Sequence, residues 1–208
     1  MKDNFGLLAT LDQLFSGDTG SILTLDDFLG GLQGRSYAFA IAAINLPNCV
    51  PTGIPWLSTI TGVPMLFLFV QSLAGRPAPS LPAFIGQRGL SRGRLQAFLG
   101  RARRHIQWLE RNVHARFEGW VSGLPRHLVR LALATNIAIL AVPIPFDNLL
   151  PAWAILFFSL ALIEDDGLMA MLGWFFTLLT AAWTLFLLLL GHAAVVALIV
   201  NLRHLLFD

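Results

Sequence analysis

Apolar runs in this chain come in pairs, and prolines split each pair. Tyr37 to Leu46 precedes a break and then Thr61 to Leu73; Leu131 to Val142 precedes a second break and then Ala152 to Ile163. The first break carries Pro47, Pro51 and Pro55, the second Pro143, Pro145 and Pro151. Proline removes an amide donor and collides with the preceding helical turn, so such clusters end helices. Asn48-Cys-Val-Pro51 and Asn148-Leu-Leu-Pro151 repeat the pattern Asn-x-x-Pro one hundred residues apart. Runs of ten to thirteen residues cover roughly 15–20 Å, short of the ~30 Å of bilayer hydrocarbon. Each pair is therefore a re-entrant helical hairpin or one interrupted span. Broken backbone survives at membrane depth only inside protein or beside a wet cavity. The pattern predicts a duplicated membrane protein, two repeats of inverted topology with a polar site where the breaks meet.

Beyond the pairs, Glu164-Asp-Asp-Gly167 predicts a water-facing turn. Leu168 to Leu190 then offers 23 residues without a formal charge, enough to span alone. Gly191-His192 is expected to interrupt it, ahead of a short helix over 193–202. Residues 1–34 read as a water-facing arm whose short helix is capped by Thr24, favoured by Asp26 and Asp27, and striped by Leu25, Phe28, Leu29 and Leu32. Residues 76–130 form a connector opened by Pro77, Pro79 and Pro82. In it Leu95, Phe98, Leu99, Ala102, Ile106, Leu109, Val113, Phe117 and Trp120 recur at spacings of three and four, with arginines on the remaining faces. That is an amphipathic helix or helix pair. It suits the headgroup region, or packing on the protein's own helices or a second subunit. The chain divides into the arm 1–34, a first repeat 35–75, the connector 76–130, and a second repeat with the spanning helix, 131–208. The fold class is all-α and polytopic, with half-length helices and no strand.

Composition strengthens the membrane reading. Of 208 residues 56% are hydrophobic and only 12% charged, with a mean hydropathy of +0.69. Soluble domains carry about 25% charged residues, so too little charge remains to coat one large soluble core. Cys49 is the only cysteine, which excludes an intrachain disulfide. No secretory signal is expected, because Asp3, Asp12 and Asp18 interrupt the first twenty residues. The net charge of +2 hides an asymmetry: residues 1–34 hold one lysine and five aspartates, residues 76–130 eleven arginines and two glutamates. Short basic loops stay cytoplasmic, which places the connector inside; nucleic-acid binding is the other use of an arginine run, disfavoured beside apolar spans.

Several ordered motifs together resemble the ExoD family of bacterial exopolysaccharide-synthesis membrane proteins. They are Gly34-Arg35, Leu46-Pro-Asn-x-x-Pro51, Ile54-Pro-x-Leu-Ser58, Gly62-x-Pro64, Gln71-x-x-x-Gly75-Arg76, Pro143-x-Pro145-Phe-x-Asn148-x-x-Pro151 and Glu164-x-Asp166-Gly167. The resemblance implies a multi-pass inner-membrane protein linked to exopolysaccharide production and, in some bacteria, to growth under alkaline conditions. It supplies no defined reaction and no catalytic residues. The connector departs from the family pattern in lacking a mid-helix proline.

Enzymatic chemistry is poorly served. The five histidines form no i, i+4 pair, Cys49 has no partner at metal spacing, and no nucleophile elbow, phosphate loop or dinucleotide fingerprint is present. Neither an enzyme, a metal nor a cofactor is expected; Asp147 with Glu164 is the one pair an enzyme on a lipid-linked sugar could use. Polar residues within apolar segments are more informative, because desolvating them is costly. Asn48 and Asn148 either satisfy freed backbone groups or line a midplane cavity. Ser58 and Thr59 either cap the next helix or contact an anion. Arg35 and Arg130, each twelve or thirteen residues before a first proline, either snorkel to phosphates or recognise an anion together. Asp147 and Glu164 are candidate proton carriers. The expected activity is movement of an anionic lipid carrier or of ions with proton coupling, in a homodimer embedded in membrane lipid. A non-transporting scaffold or regulator of the polysaccharide machinery is the alternative.

Overall fold

The computed structural model describes residues 7–51, 56–82, 86–87, 89–112, 117–142 and 148–207, the last seventeen as backbone only. Helices dominate and form two layers. The outer layer joins the N-terminal arm to the connector. Helix α1 (Leu7–Phe15) packs along α5 (Arg92–Asn112), and β1 (Ile22–Thr24) pairs antiparallel with β2 (Gly89–Ser91) in the register Leu23 to Leu90. The small ladder departs from a strand-free expectation. Three-residue strands at a crossing of two chain segments leave no periodicity to read.

Thr24 caps α2 (Leu25–Gly31) as expected: its hydroxyl oxygen accepts from the Asp27 amide at 3.1 Å. The apolar face of α5 turns onto the protein itself, with Leu99 buried and Leu95 and Ile106 packed against the core. Helix α1 lacks basic residues in its last turn, and α5 supplies the missing donors. The Arg92 guanidinium donates to Leu14 O at 2.6 Å and Ser16 O at 2.7 Å, and Gln96 Nε2 donates to Phe15 O at 2.8 Å. These close the orphan carbonyls of the helix end. Arg92→Ala should release this end at a cost of about 1 kcal/mol, read as faster amide exchange in α1. The exposed Arg103–Asp12 pair at 2.8 Å contributes little.

The inner layer holds α3 (Ser36–Asn45), α4 (Leu57–Leu73), α6 (Gly123–Ala141), α7 (Leu149–Glu164) and α8 (Gly167–Phe207). Within the first pair α3 packs on α4, and within the second α6 packs on α7. Between pairs α3 packs on α7 and α4 on α6. Met65, Val129, Ile137, Leu140, Ile155 and Phe158 fill the centre. Two glycines allow close approach: a Cβ on Gly62 would lie 2.8 Å from Ala141 Cα, and one on Gly173 would lie 2.5 Å from the Phe158 ring.

Three inner helices exceed half length: α4 has 17 residues, α6 19 and α7 16. Helix α6 starts inside the basic connector, because Pro125 is compatible with a first turn and Leu124, Leu128 and Leu131 continue its apolar spacing. Helix α8 runs unbroken through Gly191-His192. A single helical glycine costs only about 1 kcal/mol, less than the apolar flanks provide.

Gly167–Leu190 is the one stretch among the described residues long and apolar enough to cross a membrane, and only 11% of its apolar 18-residue window is buried in the protein. A core helix of a soluble protein would be mostly covered. Its outward residues include Phe175, Leu178, Leu185 and Leu188, and α4 adds the exposed stripe Ile60, Val63, Phe67 and Val70. Apolar surface this extensive marks an interaction face, here suited to lipid.

Candidate functional site

The prolines do break the chain. The first pair turns through a 3-10 segment, Leu46–Cys49, with Pro47 at its start, and Pro51 follows exposed. Pro55, Pro143, Pro145 and Asp147 lie outside the described residues, as does most of the second break. Pro151 is buried in the first turn of α7, where a missing amide donor costs nothing.

Asn48 is buried, and its Nδ2 donates to Thr61 Oγ1 at 2.9 Å. Thr61 in turn donates toward Leu57 O at 2.9 Å and Ser58 O at 3.2 Å. The amide thus clamps the break to the first turns of α4 through a side-chain hydroxyl rather than a freed backbone group. Ser58 is buried in that turn, and Thr59 Oγ1 is buried without a hydrogen-bond partner. Neither caps α4, whose entry residue is Trp56 in the left-handed region at φ 65° with no side-chain cap. Trp56 is exposed, as an indole near a membrane–water boundary would be. Trp153, after the second break, stacks on Phe157 and Phe176 instead.

Asn148 precedes α7 and provides no side-chain cap; its Oδ1 is buried without a hydrogen-bond partner. Arg35, at the entry to α3, and Glu164, the last residue of α7, are both engaged in the fold. The following turn is less wet than expected. Asp166 is fully buried and caps α8, its Oδ1 accepting from the Leu168 amide at 2.8 Å, while Asp165 binds Arg126 at 2.6 Å. Arg130 does not pair with Arg35; it lines a cleft with Arg126 and Arg76.

The residue that brings the two breaks together was not singled out from the sequence. Asn45 is fully buried at the end of α3, and its Nδ2 donates to Ala152 O, in the first turn of α7, at 2.7 Å. The 3-10 turn itself packs on α7. Asn136 is a second such residue: its Nδ2 donates to Thr177 Oγ1 of α8 at 2.9 Å and to Ala132 O at 2.8 Å. Asn45 Oδ1, Asn136 Oδ1 and Ser159 Oγ remain buried without hydrogen-bond partners. The available signal was a lone amide inside an otherwise apolar helix.

A family model described as "Exopolysaccharide synthesis, ExoD" matches residues 7–186, which takes in both breaks and the helices around them. The chain belongs to the ExoD family. It is 29% identical over 192 residues to "Protein ExoD" of Rhizobium meliloti (strain 1021), covering 90% of this chain and 78% of that protein. It is also 27% identical over 169 residues to an uncharacterized protein of Synechocystis sp., covering 81% of this chain and 80% of that one. No solved structure matches the chain significantly. As an ExoD-family member it is linked to exopolysaccharide synthesis, and the polar groups between α3, α6 and α7 lie within the matched region.

Proposed function

We propose that this protein is a multi-pass inner-membrane component of exopolysaccharide synthesis that moves an anionic lipid carrier, or ions coupled to protons, where its two broken helix pairs meet. One observation carries the reading: Asn45 Nδ2 bonds Ala152 O at 2.7 Å, joining the first break to the helix that leaves the second. The crossed packing of α3 on α7 and α4 on α6 supports two repeats related by an inverted two-fold. Buried acceptors left over at Asn45, Asn136 and Ser159 supply polar groups a passing ligand could use. The exposed apolar stripes of α4 and α8 suit lipid, and part of them suits a second copy.

Reconstituted liposomes provide the test. Flux of a polyprenyl-phosphate lipid, or of protons and cations, should exceed that of protein-free vesicles and fall in Asn148→Ala protein that still assembles. Folded protein with flux at the protein-free level would end the transport reading.

A scaffold role has its own observation: Arg94, Arg101, Arg103 and Arg104 are exposed on α5, a basic face for anionic lipid or an acidic partner. If that role is the true one, replacing these arginines should abolish polysaccharide output while Asn148→Ala leaves it intact.

A further inference from the structure

At the end of the inner layer away from the breaks, a cleft of about 210 Å³ opens between the start of α3, the end of α4 and the first turns of α6. Arg76, Arg126 and Arg130 line it together with the Tyr37 and Ser72 side chains, and Ile41, Phe69 and Leu133 form its floor. Three arginines lining one small volume make it strongly positive, and like charges there repel. Of these three arginines, only Arg126 is ion-paired among the described residues, to Asp165 at 2.6 Å. No hydrogen bond or ion pair of the described residues engages Arg76 or Arg130.

The rim is built rather than loose. The Tyr37 hydroxyl donates to Ala78 O at 2.9 Å. Gln71 grips the same strap twice, its Nε2 donating to Ser80 O at 3.0 Å and its Oε1 accepting from the Ser80 amide at 2.7 Å. These bonds fix the connector that follows Arg76 against α3 and α4. The cationic rim is thus preorganised before any ligand arrives, and preorganisation lowers the cost of binding.

We propose that this cleft is a binding site for a phosphate group borne on an alkyl chain, as in a phosphate-headed lipid. With Asp165 neutralising one of three guanidiniums, the cleft offers two uncompensated positive charges, which a carboxylate would only half satisfy. A phosphate monoester carries about −1.5 to −2 at neutral pH and has three acceptor oxygens. Guanidinium forks match phosphate oxygens two at a time. The apolar floor of Ile41, Phe69 and Leu133 receives the first carbons of a chain, and Val70 and Leu73, next in the chain to the lining residues Phe69 and Ser72, add exposed apolar surface. Binding at this site stands whether or not the protein moves its ligand.

The test uses full-length protein in nanodiscs of phosphatidylcholine, titrated with dodecyl phosphate, dodecanoate or inorganic phosphate, with binding followed by phosphorus line broadening and by native mass spectrometry. Dodecyl phosphate should bind saturably, one per chain, and more tightly than dodecanoate. Arg76→Gln with Arg130→Gln should weaken it about a hundredfold, roughly tenfold per lost charged hydrogen bond. Lys2→Gln with Arg203→Gln, the same charge change near the two ends of the chain, should leave it unaltered. Inorganic phosphate competing as well as dodecyl phosphate would show a free-phosphate site and overturn the lipid assignment. Equal losses in both double variants, or none in the first, would overturn the site itself. Should the Arg76/Arg130 double variant not fold, Arg76→Gln alone, at an exposed position, carries the same comparison.

Discussion

Replacing Gly62 by valine should cost the fold about 1–3 kcal/mol or more, the range for overpacking a well-filled interior. The first added carbon would sit 2.8 Å from both Ala141 Cα and Ala141 Cβ and 3.1 Å from Ala141 N. Two of those three atoms are backbone, so no rotamer change relieves the contact; α4 and α6 must move apart. That separation would be felt at Met65, Ile137 and Leu140, all essentially inaccessible to solvent. Gly30→Ala is the matching control. Nothing lies within 4 Å of its added carbon, and helix propensity favours alanine by up to about 1 kcal/mol. Thermal unfolding in detergent, followed by circular dichroism, should separate the two in opposite directions. Equal stability of Gly62→Val and the parent would mean that α4 and α6 do not cross where described.

How much of this was readable beforehand depended on the kind of signal each element carries. Proline has a local, steric effect, so the first break and the turn at Leu46–Cys49 followed from residue types alone. The Thr24 cap was legible for the same reason: a hydroxyl, two acidic residues and an apolar stripe lie within one turn. Helix lengths were less so. Hydropathy marks where a helix is apolar, whereas α6 begins at Gly123 among arginines, ahead of its apolar run. The β1–β2 ladder joins segments more than sixty residues apart in the chain, and nothing local announces it. The same limit hid the cleft. Arg76, Arg126 and Arg130 come from both ends of the connector and meet only when α4 and α6 pack side by side.

Among polar residues the sequence pointed first to Asn48 and Asn148 because they recur in a pattern. Asn48 serves its own break through Thr61, a contact thirteen residues away. Asn45, three residues earlier and outside the Asn-x-x-Pro motif, makes the contact that spans 107 residues. In the first half the repeated motif meets a local need. A contact between halves needs only one side chain and one carbonyl, and leaves no repeat to find.

Asn45→Ala should therefore divide stability from function. The lost bond to Ala152 O contributes about 0.5–1.5 kcal/mol, and removing Oδ1, a buried acceptor without a partner, offsets part of that. Net destabilisation should stay near 1 kcal/mol, leaving the protein assembled. Its effect on transport should be far larger, because this bond holds the end of α3 against the start of α7, where the proposed path runs. Flux in liposomes should fall tenfold or more at equal protein incorporation. Asn45→Asp offers a sharper variant: a carboxylate cannot donate to Ala152 O, and burying its charge is strongly unfavourable, so it should lose flux and gain a dependence on low pH for stability. Flux in Asn45→Ala that falls only in proportion to folded protein would reduce the residue to a structural tie, and the place where the breaks meet would no longer mark a path.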